Sequence, residues 1–212
     1  MNEKTILGSR RERGQSLVEF ALVLPFLIML FLGIAELGSA LYDYLTFTAA
    51  NREGARLASR GRFDDNAVME RIVSSGDGNV ELETMGPDAN FGIIITHFYS
   101  NESGVIDPLL TTRAFSGTVY VDGTPVALTS ANVNAYSRID PAFVIDHDAY
   151  QVKVNAYRAA NDYEVTSVQV IVVETFFAHH LLMPKVAGWL GLHDPVNFYL
   201  ASTVRVSLDR QH

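Results

Sequence analysis

Between Leu17 and Ala35 the chain offers almost no polar side chain; aliphatic residues and Phe fill the stretch, interrupted by Glu19, Pro25 and Gly33. At about 1.5 Å of rise per residue, these positions as a helix cover roughly 28 Å, close to the hydrocarbon thickness of a bilayer. The pattern predicts a membrane span. Beyond it the period changes little: Leu37, Leu41, Tyr44, Leu45, Thr48, Arg52, Ala55 and Ser59 recur at steps of three and four. The run stops at Arg60-Gly61, where Gly can adopt a left-handed cap and Arg56 and Arg60 face the carboxyl end of the dipole. One helix from Ser16 to Arg60, roughly 65 Å long, is the expectation, half in lipid and half docked on a head domain like the stick of a lollipop. Pro25 removes one helical hydrogen bond and is expected to kink it.

The remainder alternates in shorter periods and reads as mixed α and β. Asp64-Asp65 can cap a short helix over Ala67 to Ser74, ending at the turn-rich Ser75-Gly76-Asp77-Gly78-Asn79. Strands are expected at Gly92 to Tyr99, Tyr150 to Tyr157, Val165 to Phe176 and Tyr199 to Leu208. Between Thr118 and Leu128, Asp122-Gly123 predicts a hairpin whose second strand, holding Pro125, lies at an edge. Loops are expected around Gly76 to Asn90 and Asn101 to Ser116. The fold class is therefore α+β: a long N-terminal transmembrane and stalk helix packed on a mainly antiparallel β-sheet head domain. Phe176 to Leu192 is too apolar for a solvated loop. Two readings stay open for it: a segment folded over the sheet, or a patch for a neighbouring subunit or membrane surface, carried by residues such as Trp189.

Charge adds a direction. Lys4, Arg10, Arg11 and Arg13 precede the span, and by the positive-inside rule that end stays cytoplasmic and the head lies outside. Glu19 then becomes the anomaly, because an ionised carboxylate costs up to about 2.5 to 3.5 kcal/mol at the bilayer centre and less near an interface. It needs a cation, and the span offers none. A cut between Gly14 and Gln15 would create an α-amino group one helical turn away. It would also remove the basic residues, which oppose withdrawal of the helix from the membrane by roughly 10 kcal/mol or more.

These residues carry a resemblance. A basic leader ending in Gly14, then Gln15-Ser16-Leu17-Val18-Glu19-Phe20, is similar to a class III prepilin processing site. The longer run through Ala21, Leu24-Pro25 and Gly33-Ile34-Ala35-Glu36-Leu37-Gly38, then Ala49-Ala50-Asn51-Arg52-Glu53-Gly54-Ala55-Arg56, resembles the TadE-like family of pseudopilins. Phe20 stands where many pilins have Tyr. A weaker echo lies in Val170 to Pro184 and Leu200 to Arg205. The resemblance implies a bitopic component of a tight-adherence (Flp, type IVc) pilus machinery, linked to adhesion and secretion. It implies cleavage at Gly14/Gln15 by a prepilin peptidase, with Glu19 and Phe20 as the processing and assembly motif. The span is marked by Leu17, Pro25, Gly33 and Ala35. The implied partners are the membrane, a TadF-like pseudopilin, the Flp major pilin and Tad platform proteins. The expected organisation is a leader over 1–14, a transmembrane and stalk helix over 15–60, and an extracytoplasmic head over 61–212.

Composition and motifs bring no chemistry to compete with this. The net charge of −8 and the absence of a long basic stripe argue against nucleic acid. There is no cysteine, so no disulfide holds the head together. His179-His180 lacks zinc-site spacing, and Asp146-His147-Asp148 and Asp77-Gly78-Asn79 complete no calcium loop, so no metal or cofactor is expected. No phosphate loop or nucleophile elbow occurs, and the expectation is a protein that is not an enzyme. Glu53 and Arg56 read as an i, i+3 ion pair on the stalk. The alternative is a secreted or anchored extracellular enzyme or adhesin whose first 40 residues form an ordinary signal. Gly38-Ser39-Ala40 mimics the cleavage site, although the apolar region exceeds the usual length of such signals.

Overall fold

A single helix, α1 (Ile6–Ala58), runs through Pro25 and opens the chain. The computed structural model describes residues 6–60, 64–76, 90–99, 111–139, 152–161, 168–189, 191 and 193–207. By its internal contacts the chain divides into two units, Met1–Tyr42 and Asp43–His212. In the first, every large apolar side chain from Leu17 to Ile34 is exposed, from 37% at Leu27 to 73% at Phe26. Burying each would gain about 1.5 to 3 kcal/mol, so a helix that leaves them all bare is one suited to hydrocarbon. α1 is long and apolar enough to cross a membrane.

The second unit is built on a five-stranded antiparallel sheet in the order β3-β2-β1-β4-β5. The strands are β1 (Phe91–Tyr99), β2 (Thr112–Val121), β3 (Thr124–Ala127), β4 (Val168–His179) and β5 (Val196–Ser207). Helices α2 (Asp65–Gly76), α3 (Val133–Tyr136), α4 (residues 152–160) and α5 (Pro184–Trp189) complete the described elements. Strand β4, flanked by β1 and β5, is buried on both faces. Ile171, Val173 and Phe177 join Ile93, Ile95 and the inner residues of α1 and α2 in the larger core cluster. On the other face Phe176 meets Ile94, Val119, Leu128 and Val133, and Val170 and Val172 meet Phe98. This double burial explains why β4 reads as a continuous apolar run rather than an alternation.

Local chemistry sets the element ends. The Asp64 carboxylate accepts the Ala67 amide at 2.8 Å and caps α2, which buries Val68, Met69, Ile72 and Val73 on one face. Asp122 (φ 49°) and Gly123 (φ 77°) form the β2–β3 turn, and two positive φ angles in succession are what a right-twisted two-residue hairpin requires. Pro125 sits in β3, the edge strand.

Several expectations are corrected. Tyr150 to Tyr157 is not a strand: residues 152–160 are helical, while 150 and 151 lie outside the described residues. The alternating apolar residues form no buried face: Val152 and Ala156 are exposed while Asn155 between them is buried, and the Asn161 side chain donates to the Tyr157 carbonyl at 2.8 Å as α4 closes. α1 begins ten residues before Ser16 and ends at Ala58. Thr112 to Ser116, expected in a loop, are part of β2; residues 101–110 of that loop and 77–89 lie outside the described residues. The docked face of the helix is also rotated. Phe47, Ala50, Asn51, Gly54, Ala55 and Ala58 turn inward, whereas Leu41, Leu45 and Arg52 are exposed. Small residues win this face because they let α1 approach α2 and the sheet closely. Within Phe176 to Leu192, Phe177 and Leu181 are core, Leu182 is 62% exposed, and the side chain of Trp189 lies outside the described residues.

A Cβ at Gly54 would overlap the fully buried Ile72 side chain, whereas one at Gly33 meets nothing within 4 Å. Gly54→Ala should therefore cost about 1 to 3 kcal/mol in guanidinium unfolding of the detergent-solubilised chain. Gly33→Ala should cost nothing. Equal midpoints for the two variants would contradict the close α1–α2 approach.

Candidate processing and assembly segment

The residues singled out for processing all fall on the first part of α1. Gly14 and Gln15 are inside the helix, not before it. The Gln15 side-chain amide donates to Glu19 Oε1 at 3.1 Å, one turn on, and both side chains are exposed. Glu19 is thus close to position 15, but the contact is made with the carboxamide of an uncut chain. Leu17, Phe20, Pro25 and Gly33 follow on the same exposed stretch, with Ala35 in its last turn.

The second stretch, Ala49 to Arg56, lies in the other unit and is a packing device. The buried Asn51 side chain, 1% exposed, donates to the Val173 carbonyl at 3.2 Å and to Thr175 Oγ1 at 2.7 Å, fastening α1 to β4. Gly54 admits Ile72 of α2 one turn later. Phe47 stacks on Phe177 at 4.4 Å, and Phe177 on Phe198 at 4.8 Å. Glu53 meets Arg56 at 3.6 Å, as its spacing predicts, and also Arg71 of α2 at 3.2 Å. These ion pairs are exposed and contribute a few tenths of a kcal/mol each. The small-residue spacing at 50, 54, 55 and 58 was a readable signal for the docked face; a search for bulky apolar positions passes over it.

Two histidines tie helices to the sheet. His179 Nδ1, at the end of β4, lies 2.7 Å from Asp43 Oδ2 on α1. His97 on β1 meets the Gln169 side-chain amide at Nδ1, and its Nε2 lies 2.6 Å from Asp65 Oδ1 of α2. Here His179 of the sequence pair His179-His180 is a core tether. His180 is exposed, near Asn90 and Asp194. Among the described residues no group of three or more His, Asp or Glu side chains is placed to hold a metal; Asp77 to Asn79 and Asp146 to Asp148 lie outside them.

The opposite sheet face holds a polar hub that sequence reading missed. Glu174 is fully buried and accepts from Ser137 Oγ (2.7 Å), the Arg138 amide (2.7 Å) and Tyr199 Oη (2.9 Å). The Arg138 guanidinium lies over the Tyr199 ring at 5.2 Å and the Phe176 ring at 5.9 Å. This fastens the segment after α3 onto β4 and β5. The only warning in the sequence is a single Glu inside the apolar run Val170 to Phe177. A groove of about 390 Å³ opens beside the hub, lined by Tyr120, Tyr136, Arg138, Phe176 and Asn197 among others.

The hub makes stability pH-dependent at the alkaline end. Burial first, then the Glu174 charge and hydrogen bond, push the Tyr199 phenol well above its ordinary value, with Arg138 opposing. A group raised on folding stabilises fully below its unfolded value, near pH 10, and that contribution is lost as pH climbs toward the folded value. Urea midpoints should therefore fall above about pH 10 more steeply in the native chain than in Tyr199→Phe. Parallel curves would remove Tyr199 from the alkaline transition.

Residues 14–56 match a family model described as TadE-like protein. No curated protein and no solved structure matches the chain. The matched stretch takes in Gly14, Gln15, Glu19 and the apolar helix, and also Asn51 and Gly54, which bind the last turns of α1 to β4 and α2. Over residues 14–56, from the candidate cleavage pair to the docked part of its first helix, the chain is similar to the TadE-like family.

Proposed function

We propose that the chain is a pseudopilin acting in assembly of a tight-adherence, type IVc pilus, not an enzyme. In this reading residues 1–14 are a leader that a prepilin peptidase removes on the cytoplasmic side, 15–60 form the span and stalk, and 61–212 form an extracytoplasmic head. The observation that carries it is the joint presence of Gly14, Glu19 and a long exposed apolar helix within the stretch that the TadE-like model matches. Cutting before Gln15 leaves an α-ammonium within a turn of Glu19, on this chain or a neighbour, and releases the arginines that hold the helix at the cytoplasmic face. Since Gly14 lies within α1, the scissile bond has to unwind to be cut, and glycine lowers that cost by roughly 1 kcal/mol relative to alanine. A TadF-like pseudopilin, the Flp major pilin and Tad platform proteins are the partners this role requires.

One observation favours a second reading. A signal-type cut after Ala40 would fall just before Asp43, where the second unit begins, and would leave that unit whole as a free extracellular protein. The variants separate the two. Gly14→Leu should leave full-length precursor in the membrane on an immunoblot, and unchanged processing would contradict the pseudopilin reading. Glu19→Ala should still be cut yet fail to support piliation. Normal pili in that variant would remove the charge-pairing role.

A further inference from the structure

A chain cut before Gln15 begins with glutamine, and a terminal glutamine has a reaction that an internal one lacks. Its α-amino nitrogen can attack its own side-chain Cδ. An N–Cδ bond forms, the Cδ–Nε2 bond breaks, and ammonia leaves with the proton given up by the amine. The product is a five-membered lactam, pyroglutamate, and no other reactant is needed. For this chain the reaction would be damaging. It replaces the ammonium beside Glu19 with a neutral amide and leaves the carboxylate without its cation.

The structure shows what stands against it. The Gln15 carboxamide donates to Glu19 Oε1 at 3.1 Å, so the side chain reaches one turn toward the C-terminal end of α1. Backbone nitrogens of a helix lie on the N-terminal side of their own residues, so ring closure requires this side chain to fold back the opposite way. The two arrangements exclude each other. Gln15 is exposed, so burial does not hold it in place of Glu19. A hydrogen bond to an ionised acceptor is about twice as strong as one between neutral groups, so the carboxylate is an effective latch for an otherwise free amide.

We propose that Glu19 guards terminal Gln15 against cyclisation by holding its carboxamide away from the α-amine, a role additional to charge pairing and resting on the reading that processing exposes Gln15. Glu19 is in this respect a positioning residue, and Gln15 is a site of covalent modification whose rate it sets.

The test uses residues 15–212, released in detergent from an N-terminal fusion by a protease that cuts immediately before Gln15. Loss of ammonia is followed by intact mass over days, with N-terminal sequencing to count blocked chains. Glu19→Ala should become blocked roughly five- to tenfold faster than the native sequence, the size expected when one charge-assisted hydrogen bond no longer has to break. Glu19→Gln, which keeps an acceptor without the charge, should fall between. Equal rates in all three chains, or faster blocking of the native one, would overturn the guard. Because the terminus is made by an added protease, the outcome is independent of natural processing. An uncut precursor in cells defeats the pseudopilin reading, whereas a natural cut at Gln15 with equal cyclisation rates defeats only this one.

Discussion

One helix has to satisfy two different surroundings, and the rest of the chain answers to that constraint. Over Leu17 to Ile34, α1 presents bulky aliphatic and aromatic side chains in every direction, which only hydrocarbon or another apolar surface can accept. From Phe47 to Ala58 it changes vocabulary. Alanine, asparagine and glycine turn toward the sheet, and arginines turn to water. The first half needs a low-dielectric medium, while the second needs close backbone approach. A run of leucines through residue 58 would serve the first need and block the second.

The second unit shows how a docked helix is held when its contact residues are small. Little apolar area is available from Ala50, Gly54 and Ala55, so specificity comes from shape and from a few polar contacts. Asn51 reaches β4, His179 meets Asp43, and Ile72 fills the space a side chain at Gly54 would take. Removing one partner of a buried hydrogen bond costs about 1 to 3 kcal/mol, comparable to a buried methyl-bearing side chain. The Glu174 hub does the same on the far face, joining Ser137, Arg138 and Tyr199 to β4. The sheet is thus clamped from both sides.

How much of this was legible depended on the range over which the determining interaction acts. The apolar helix, the Asp64 cap, the Asp122-Gly123 turn and all five strands follow from local pattern, with the helix and strands present at shifted ends. Residues 152–160 misled because an apolar alternation marks a strand only where one face is buried, and here Val152 and Ala156 are exposed while Asn155 is buried. The inward face of α1 misled for another reason: bulk suggests burial, yet Leu41 and Leu45 stay outside while Ala50 and Gly54 go in. Glu174 could not be placed at all, since its three donors come from residues 137, 138 and 199, far off in sequence. For the candidate site, the residue types at 14, 15 and 19 were readable. The hydrogen bond already present between Gln15 and Glu19 was not.

That contact gives the N-terminal segment its chemical logic. A carboxylate placed near the start of an apolar helix is tolerable only with a donor at hand, and the uncut chain supplies the weaker donor, a neutral amide. An ammonium at the same place would be the stronger one. The most direct measurement is the mass of the N-terminal peptide of the chain purified from membranes of the cells that make it. The account predicts a chain beginning at Gln15; a chain beginning at Met1 or at Leu41 would contradict it.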